Sequence, residues 1–218
     1  MIRVKHAINL HKVMSGLVIL GLMVAYDSFG PTAWIIFSLH GMYGMLWLMK
    51  DQIYPDKQWE QEISPVTGIV LFIVLMAYWV APWIVTSQHI DAPIPLMAGA
   101  IAIYILGTFL HYGSDAQKYF MLKYRSGLIT EGFFARCRNP NYLGEALIYG
   151  SFVLLSMHWL AALIWLGFIA TIFVPNMLKK DKSLSRYPEF DAYKARSGLF
   201  FPKLFPASTH NQAEPSQI

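Results

Sequence analysis

Charge is scarce in this 218-residue chain: Asp, Glu, Lys and Arg make up 14% of it, against about 25% in an ordinary soluble domain. That deficit excludes a typical soluble protein. Cysteine is scarcer still, with Cys137 alone, so there is no intramolecular disulfide framework and no Cys-rich metal site. The glycine signatures GxGxxG and GxxxxGK[ST] are missing, as are HExxH and any paired-His motif, and no metal site is expected. No fixed-period repeat and no linker divides the chain. What remains is apolar: 56% of residues are hydrophobic and 15% aromatic.

These residues gather into runs long enough to cross a hydrocarbon core of about 30 Å. Runs without Lys or Arg cover residues 13–29, 33–49, 66–87, 93–112, 142–157 and 160–178. The pattern predicts an all-α, polytopic membrane helix bundle of about six transmembrane helices, the last two forming a hairpin that turns near His158. All 17 Lys and Arg residues lie in the N-terminal segment, the second and fourth loops and the tail. The loops around Gly30, 88–92 and His158 carry none. By the positive-inside bias this predicts a multi-pass protein with both termini cytoplasmic, and it explains the net charge of +4 without a nucleic-acid partner. The first helix lacks a small-x-small cleavage pattern and is expected to stay uncleaved. Residues 1–206 should form one integral membrane domain. Residues 207–218, ending in the polar HNQAEPSQI, should be a disordered tail.

The densest polar constellation is RCRNPNYLGE, Arg136 to Glu145. Pro140 suits the first position of a helix and Asn139 before it can cap free amides. The positive end of that helix beside Arg136 and Arg138 would accept a phosphate or carboxylate. Tyr142 and Glu145, three apart, share a face. A carboxylate at Glu145 normally faces a protein interior or a wet cavity, and Gly144 allows close approach to the backbone. The same residues also read as an Arg138–Glu145 pair, or Arg138 on lipid headgroups, with NPNY only a cap and anchor.

The segment GTFLHYGSDAQKYFMLKYRSGLITEGFFARCRNPNYLGE resembles the cofactor-binding half of the sterol reductase and steroid 5-alpha-reductase superfamily. That membrane fold is similar to the isoprenylcysteine carboxyl methyltransferases and phospholipid methyltransferases. The resemblance rests on Asp115-Ala116-Gln117-Lys118, Gly127-Leu128, Gly132 and Arg138-Asn139-Pro140-Asn141-Tyr142-Leu143-Gly144-Glu145, and continues through Asp181, Tyr187, Tyr193 and Phe201-Pro202. It covers residues 107–206, with Asn139 standing where the family has His. It implies an NADPH site lined by Lys118, Arg138, Asn141, Tyr142, Gly144, Glu145, Asp181 and Tyr193, or in the methyltransferase branch an S-adenosylmethionine site on the same surface. The Asp-x-Gln-Lys element and Asn141 look more like the reductases.

The resemblance implies an enzyme reducing a carbon–carbon double bond of a lipid or steroid-like substrate that enters from the bilayer, with a soluble cofactor arriving from the cytoplasm. The different-class reading is a non-catalytic membrane protein that retains the fold. The proton donor is open among His40, Tyr43 and Tyr149. His40 reads equally as a packed histidine, with Gly41 and Gly44 marking close helix contact. Cys137, flanked by two arginines, is expected to have a lowered pKa, though no His base for a catalytic thiol is identifiable nearby. The loop KDQIYPDKQWEQE, Lys50 to Glu62, is either a connector anchored by Trp59 or a lid over the cytoplasmic entrance.

Overall fold

The structure, a computed structural model, describes residues 1–204. The expected tail at 207–218 lies outside the described residues, as do 205 and 206 of the expected domain. The protein is an all-α membrane helix bundle in which six segments run back and forth. They are α1 (Val4–Ala25), α2 (Pro31–Ile53), α3 (Pro65–Leu75) continued by α4 (Val80–Ser87), α5 (Ile94–Tyr124), α6 (Pro140–Ser156), and α7 (Trp159–Phe168) continued by α8 (Val174–Leu184). Five of these are long and apolar enough to cross a bilayer. The fifth in order, α6, has 17 residues, or about 26 Å at 1.5 Å per residue, and forms the expected hairpin with α7. A short α9 (Phe190–Arg196) follows outside the bundle.

Prolines open the helices where their missing N–H costs nothing: Pro31, Pro65 and Pro140 each stand at a helix start. Ser64 caps α3 by accepting from the Thr67 amide at 3.1 Å. Prolines also break two spans. Pro82 removes the bond to the carbonyl four residues back, at Tyr78, and the chain tightens into a 3₁₀ turn over Met76–Trp79. Pro175 does the same to Thr171, and the helix widens into a π turn over Ile169–Phe173. The hydropathy runs hid both breaks, because a run reports apolarity and not helical continuity.

Other boundaries also move. The first helix begins at Val4 rather than at residue 13, which carries Lys12 into its third turn. The fourth span continues to Tyr124, so Asp115 and Lys118 are helical rather than loop residues. The N-terminus is tied down by β1 (Ile2–Arg3), antiparallel to β2 (Glu62–Ile63), with Ile2 opposite Ile63. Arg3 and Lys5 add ion pairs to Glu60 at 2.7 and 2.5 Å.

The tightest crossing joins α5 to α6. A Cβ on Gly107 would lie 2.7 Å from the Gly144 carbonyl oxygen, and one on Gly144 would lie 2.6 Å from the Gly107 oxygen. Glycine is required there because the backbones touch. Likewise a Cβ on Gly44 would lie 2.5 Å from the Lys12 carbonyl oxygen where α1 meets α2. Outward-facing Leu17, Ile69, Ile105, Phe109 and Leu163 are exposed, as lipid contact requires.

Candidate functional site

A cavity of about 900 Å³, counting the open space at its mouth, enters the bundle from the end that carries the chain's basic loops. Its deep wall is Lys12, Trp47 and Tyr78; its flank is His111, Asn141 and Glu145; Tyr142, Phe173 and Asn176 face them. Both proline-induced breaks therefore border it, through Tyr78 and Phe173. Asp56, Gln58 and Trp59 also line it, so the loop after α2 lies over the entrance instead of merely connecting two spans.

At the entrance, four charges form one network. Lys50 Nζ lies 2.7 Å from Asp115 Oδ2, and Lys118 Nζ lies 3.3 Å from Asp56 and 3.7 Å from Asp115. Lys50 and Asp115 are buried, so each neutralises a charge that would otherwise be costly in the interior. Lys118 thus holds the loop over the mouth through Asp56 and does not itself line the cavity.

On the flank, His111 Nδ1 is 3.1 Å from the Asn141 backbone carbonyl. A carbonyl only accepts, so Nδ1 carries the hydrogen of this bond, and in the tautomer that places its one hydrogen on Nδ1 the Nε2 atom is an acceptor. His111 Nε2 and the Asn141 side-chain oxygen are both buried without a hydrogen-bond partner among the described residues. With the Glu145 carboxylate they form a wall of acceptors that matches ligand groups bearing N–H or O–H.

In the depth, Lys12 Nζ donates to the Tyr149 hydroxyl at 2.9 Å. It also stands 4.1 Å from the centre of the Tyr43 ring. Tyr78 stacks on Tyr149 with centroids 3.8 Å apart. Of the expected proton donors, Tyr43 and Tyr149 thus meet around Lys12, behind the cavity wall rather than on it. His40 does not reach the cavity: it stacks on Phe152 at 3.5 Å between centroids, and both ring nitrogens lack partners among the described residues. Sequence reasoning placed Lys12 with the surface basics and passed over His111. The signal for Lys12 was available, since Tyr43 and Trp47 are spaced one helical turn apart on α2 and present two rings to the same point.

Arg138 is placed elsewhere. Its Nε donates to both carboxylate oxygens of Asp181 at 3.0 Å, and its Nη1 donates to the Ser197 carbonyl at 2.5 Å. Neither the Arg138–Glu145 pair nor direct lipid contact occurs, because α8 and the segment after α9 wrap the guanidinium. Tyr193 joins the same cluster by donating to the Phe134 carbonyl at 2.8 Å. Arg138, Asp181 and Tyr193 therefore brace the start of α6 from behind, and Gly144 is filled by α5. None of these four lines the cavity.

Asn139 begins α6 but does not cap it. Its amide donates to the Leu199 carbonyl at 2.9 Å, so its hydrogen bond goes to the chain after α9. Cys137 is buried and donates to the Phe200 carbonyl at 3.1 Å. Burial pushes its thiol up, outweighing Lys180 and Arg138, contrary to the lowering its arginine neighbours suggest.

Residues 41–197 match a family model described as "Protein of unknown function (DUF1295)". Every residue on the cavity wall except Ile8 and Lys12 falls inside that stretch. An uncharacterized protein of Schizosaccharomyces pombe is 31% identical over 106 residues, 43% of this chain and 30% of the relative. The nickel-cobalt-cadmium resistance protein NccN of Alcaligenes xylosoxydans xylosoxydans is 37% identical over 79 residues, 35% of this chain and 37% of the relative. The matched segments thus span about a third of either relative's length. No solved structure matches the chain.

Proposed function

The chain belongs to the DUF1295 family, and from the cavity that this family region encloses we propose an integral membrane oxidoreductase that reduces a carbon–carbon double bond of a lipid or steroid-like substrate with NADPH. The observation that carries the reading is the acceptor wall on which His111 Nε2 and Asn141 Oδ1 are buried without partners, beside the half-buried Glu145. A nicotinamide carboxamide and its ribose present the N–H and O–H groups that such a wall is built to accept. Bound there, the cofactor would supply a hydride.

The cavity wall carries Asp56, Asp115 and Glu145 against Lys12 and Lys50, so the phosphates of the dinucleotide belong outside it. Exposed Arg136, Lys179 and Lys182 at the same end of the bundle suit them. We assign that end to the cytoplasm, where the cofactor is soluble. Asn141 and Glu145 orient the ring, Tyr142 closes its side, and Trp59 with the Asp56–Lys118 contact limits water at the mouth. Of the three candidates we favour Tyr149 as proton donor: it lies directly behind the wall residues Lys12 and Tyr78, and because Lys12 donates to its oxygen, the phenol's own hydrogen remains to be given toward the cavity.

One observation favours a second reading. The excess of carboxylates on the wall, together with the rings of Trp47 and Tyr78, also suits the ammonium and sulfonium of S-adenosylmethionine. Titrating purified protein with each cofactor separates the two. Glu145→Gln and Asn141→Ala should each weaken whichever cofactor binds by roughly tenfold, the value of a hydrogen bond to a charged or buried group.

A further inference from the structure

A lysine buried in a membrane bundle normally has an acidic partner, because an uncompensated charge at that depth costs several kcal/mol. Among the described residues, Lys50 has Asp115, Lys118 has Asp56, and Arg138 has Asp181. Lys12 is 6% exposed and has no carboxylate within ion-pair distance among the described residues. Its ammonium has three hydrogens. One is given to Tyr149, and the Tyr43 ring lies against the group at 4.1 Å. Trp47, Tyr149 and Tyr78 complete a cage, with ring centres 5.4, 5.5 and 5.9 Å away. Aromatic faces stabilise a cation and hold it in place, but they accept no strong hydrogen bond.

Lys12 lies on the cavity wall, and that wall is also apolar: Ile8, one turn from Lys12 on α1, with Leu71, Val74, Leu75, Phe168 and Ile172. Tyr78 shares the wall, while Tyr149 stacks behind it. Lys12 therefore sits where one cavity offers both a cation and an apolar lining. We propose that Lys12 is the head-group site for a lipid carboxylate, its ammonium binding the carboxylate oxygens while the acyl chain lies along Leu71, Val74, Phe168 and Ile172. This rests on the reading of the protein as an enzyme of lipid-phase substrates and narrows the substrate class to a lipid acid.

The pairing of the wall selects a carboxylate. Its two aspartates are held at the entrance by Lys50 and Lys118, which leaves the Lys12 ammonium as the cation in the depth that is free to make a charge-assisted bond, and it can make one such bond to a single negative group. A phosphate monoester would bring close to two negative charges into a cavity that already holds Glu145, and would find no second cation, since Lys50 is engaged with Asp115. A neutral ester would gain no charge-assisted bond from the ammonium.

The test uses the full chain in lipid nanodiscs and measures competition against radiolabelled palmitate. Palmitic acid should bind at least about tenfold more tightly than methyl palmitate, as a charge-assisted bond requires. Lys12→Met should abolish that preference and Lys12→Arg should keep part of it. Equal binding of acid and ester by the wild-type protein would overturn the proposal, as would an unchanged preference in Lys12→Met or tighter binding of lysophosphatidic acid than of palmitate. The wild-type comparison of acid with ester decides the question even where a variant does not fold. A separate NADPH titration of the wild-type protein distinguishes the two levels: palmitate selectivity without NADPH binding removes the reductase reading and leaves the lipid-acid site standing.

Discussion

Lys12 Nζ and the Tyr149 hydroxyl, 137 residues apart in sequence, meet at 2.9 Å and join the first span to the fifth at the inner end of the cavity. Gly44 makes the meeting possible, because its missing side chain lets α2 press against the Lys12 backbone. Tyr43, the residue before it, then supplies a face for the ammonium. The deep end of the cavity is thus a product of one glycine and of a lysine that a hydropathy window leaves outside the membrane.

The α5–α6 crossing should tolerate no side chain at Gly144. Replacement by Val forces the helices apart and should cost about 1–3 kcal/mol, the usual penalty of overpacking. Thermal unfolding in detergent should show a clear drop for Gly144→Val. Gly99→Ala, whose Cβ meets nothing within 4 Å, should melt like the wild-type protein.

Arg138 and Asp181 should behave as a unit. Removing either partner strands a charge that is 6% or 12% exposed at the side chain, which typically costs 3–5 kcal/mol. A double-mutant cycle with Arg138→Met and Asp181→Leu should show the double variant less destabilised than the sum of the singles. Additive losses would mean that the pair does not brace α6.

Cys137 should be a poor nucleophile. Burial raises its thiol pKa, so the thiolate fraction at neutral pH is below that of a free cysteine and grows only as pH rises further. Iodoacetamide should label the folded protein slowly, with onset at higher pH than for glutathione, and label the denatured protein quickly. Cys137→Ser should leave cofactor binding unchanged.

The N-terminal tether should survive mild acid. Hydrogen bonds and charge from Lys5 and Arg3 hold the Glu60 carboxyl below its ordinary range. A depressed carboxyl contributes above its unfolded pKa and loses that contribution as pH falls through the folded one. Protection factors for amide exchange at Ile2 and Val4, taken relative to the intrinsic rate at each pH, should therefore hold until the pH drops below the usual carboxylate range, and Glu60→Gln should remove that step in protection.

The bundle was legible because membrane crossing leaves a one-dimensional trace: apolar runs for the spans, Lys and Arg for one end. Asn141, Tyr142 and Glu145 were legible because a proline-started helix with polar residues in its first turns is a local pattern. What sequence could not supply was pairing across the bundle. Arg138 looks free beside Pro140, yet its partners come from Asp181 and Ser197, more than 40 residues on. His111 and Asn141 are 30 residues apart and are brought together where the Gly144 backbone meets Gly107 and His111. Lys12 was misread because α1 starts a full two turns before its apolar run.

Equilibrium titration of the purified full-length protein with NADPH, alongside Glu145→Gln, decides between the two cofactors. Saturable binding of NADPH that Glu145→Gln weakens roughly tenfold is expected, in line with a charge-assisted hydrogen bond, with much weaker binding of S-adenosylmethionine. Saturable binding of S-adenosylmethionine without NADPH binding, or no binding of either, would contradict the reductase reading.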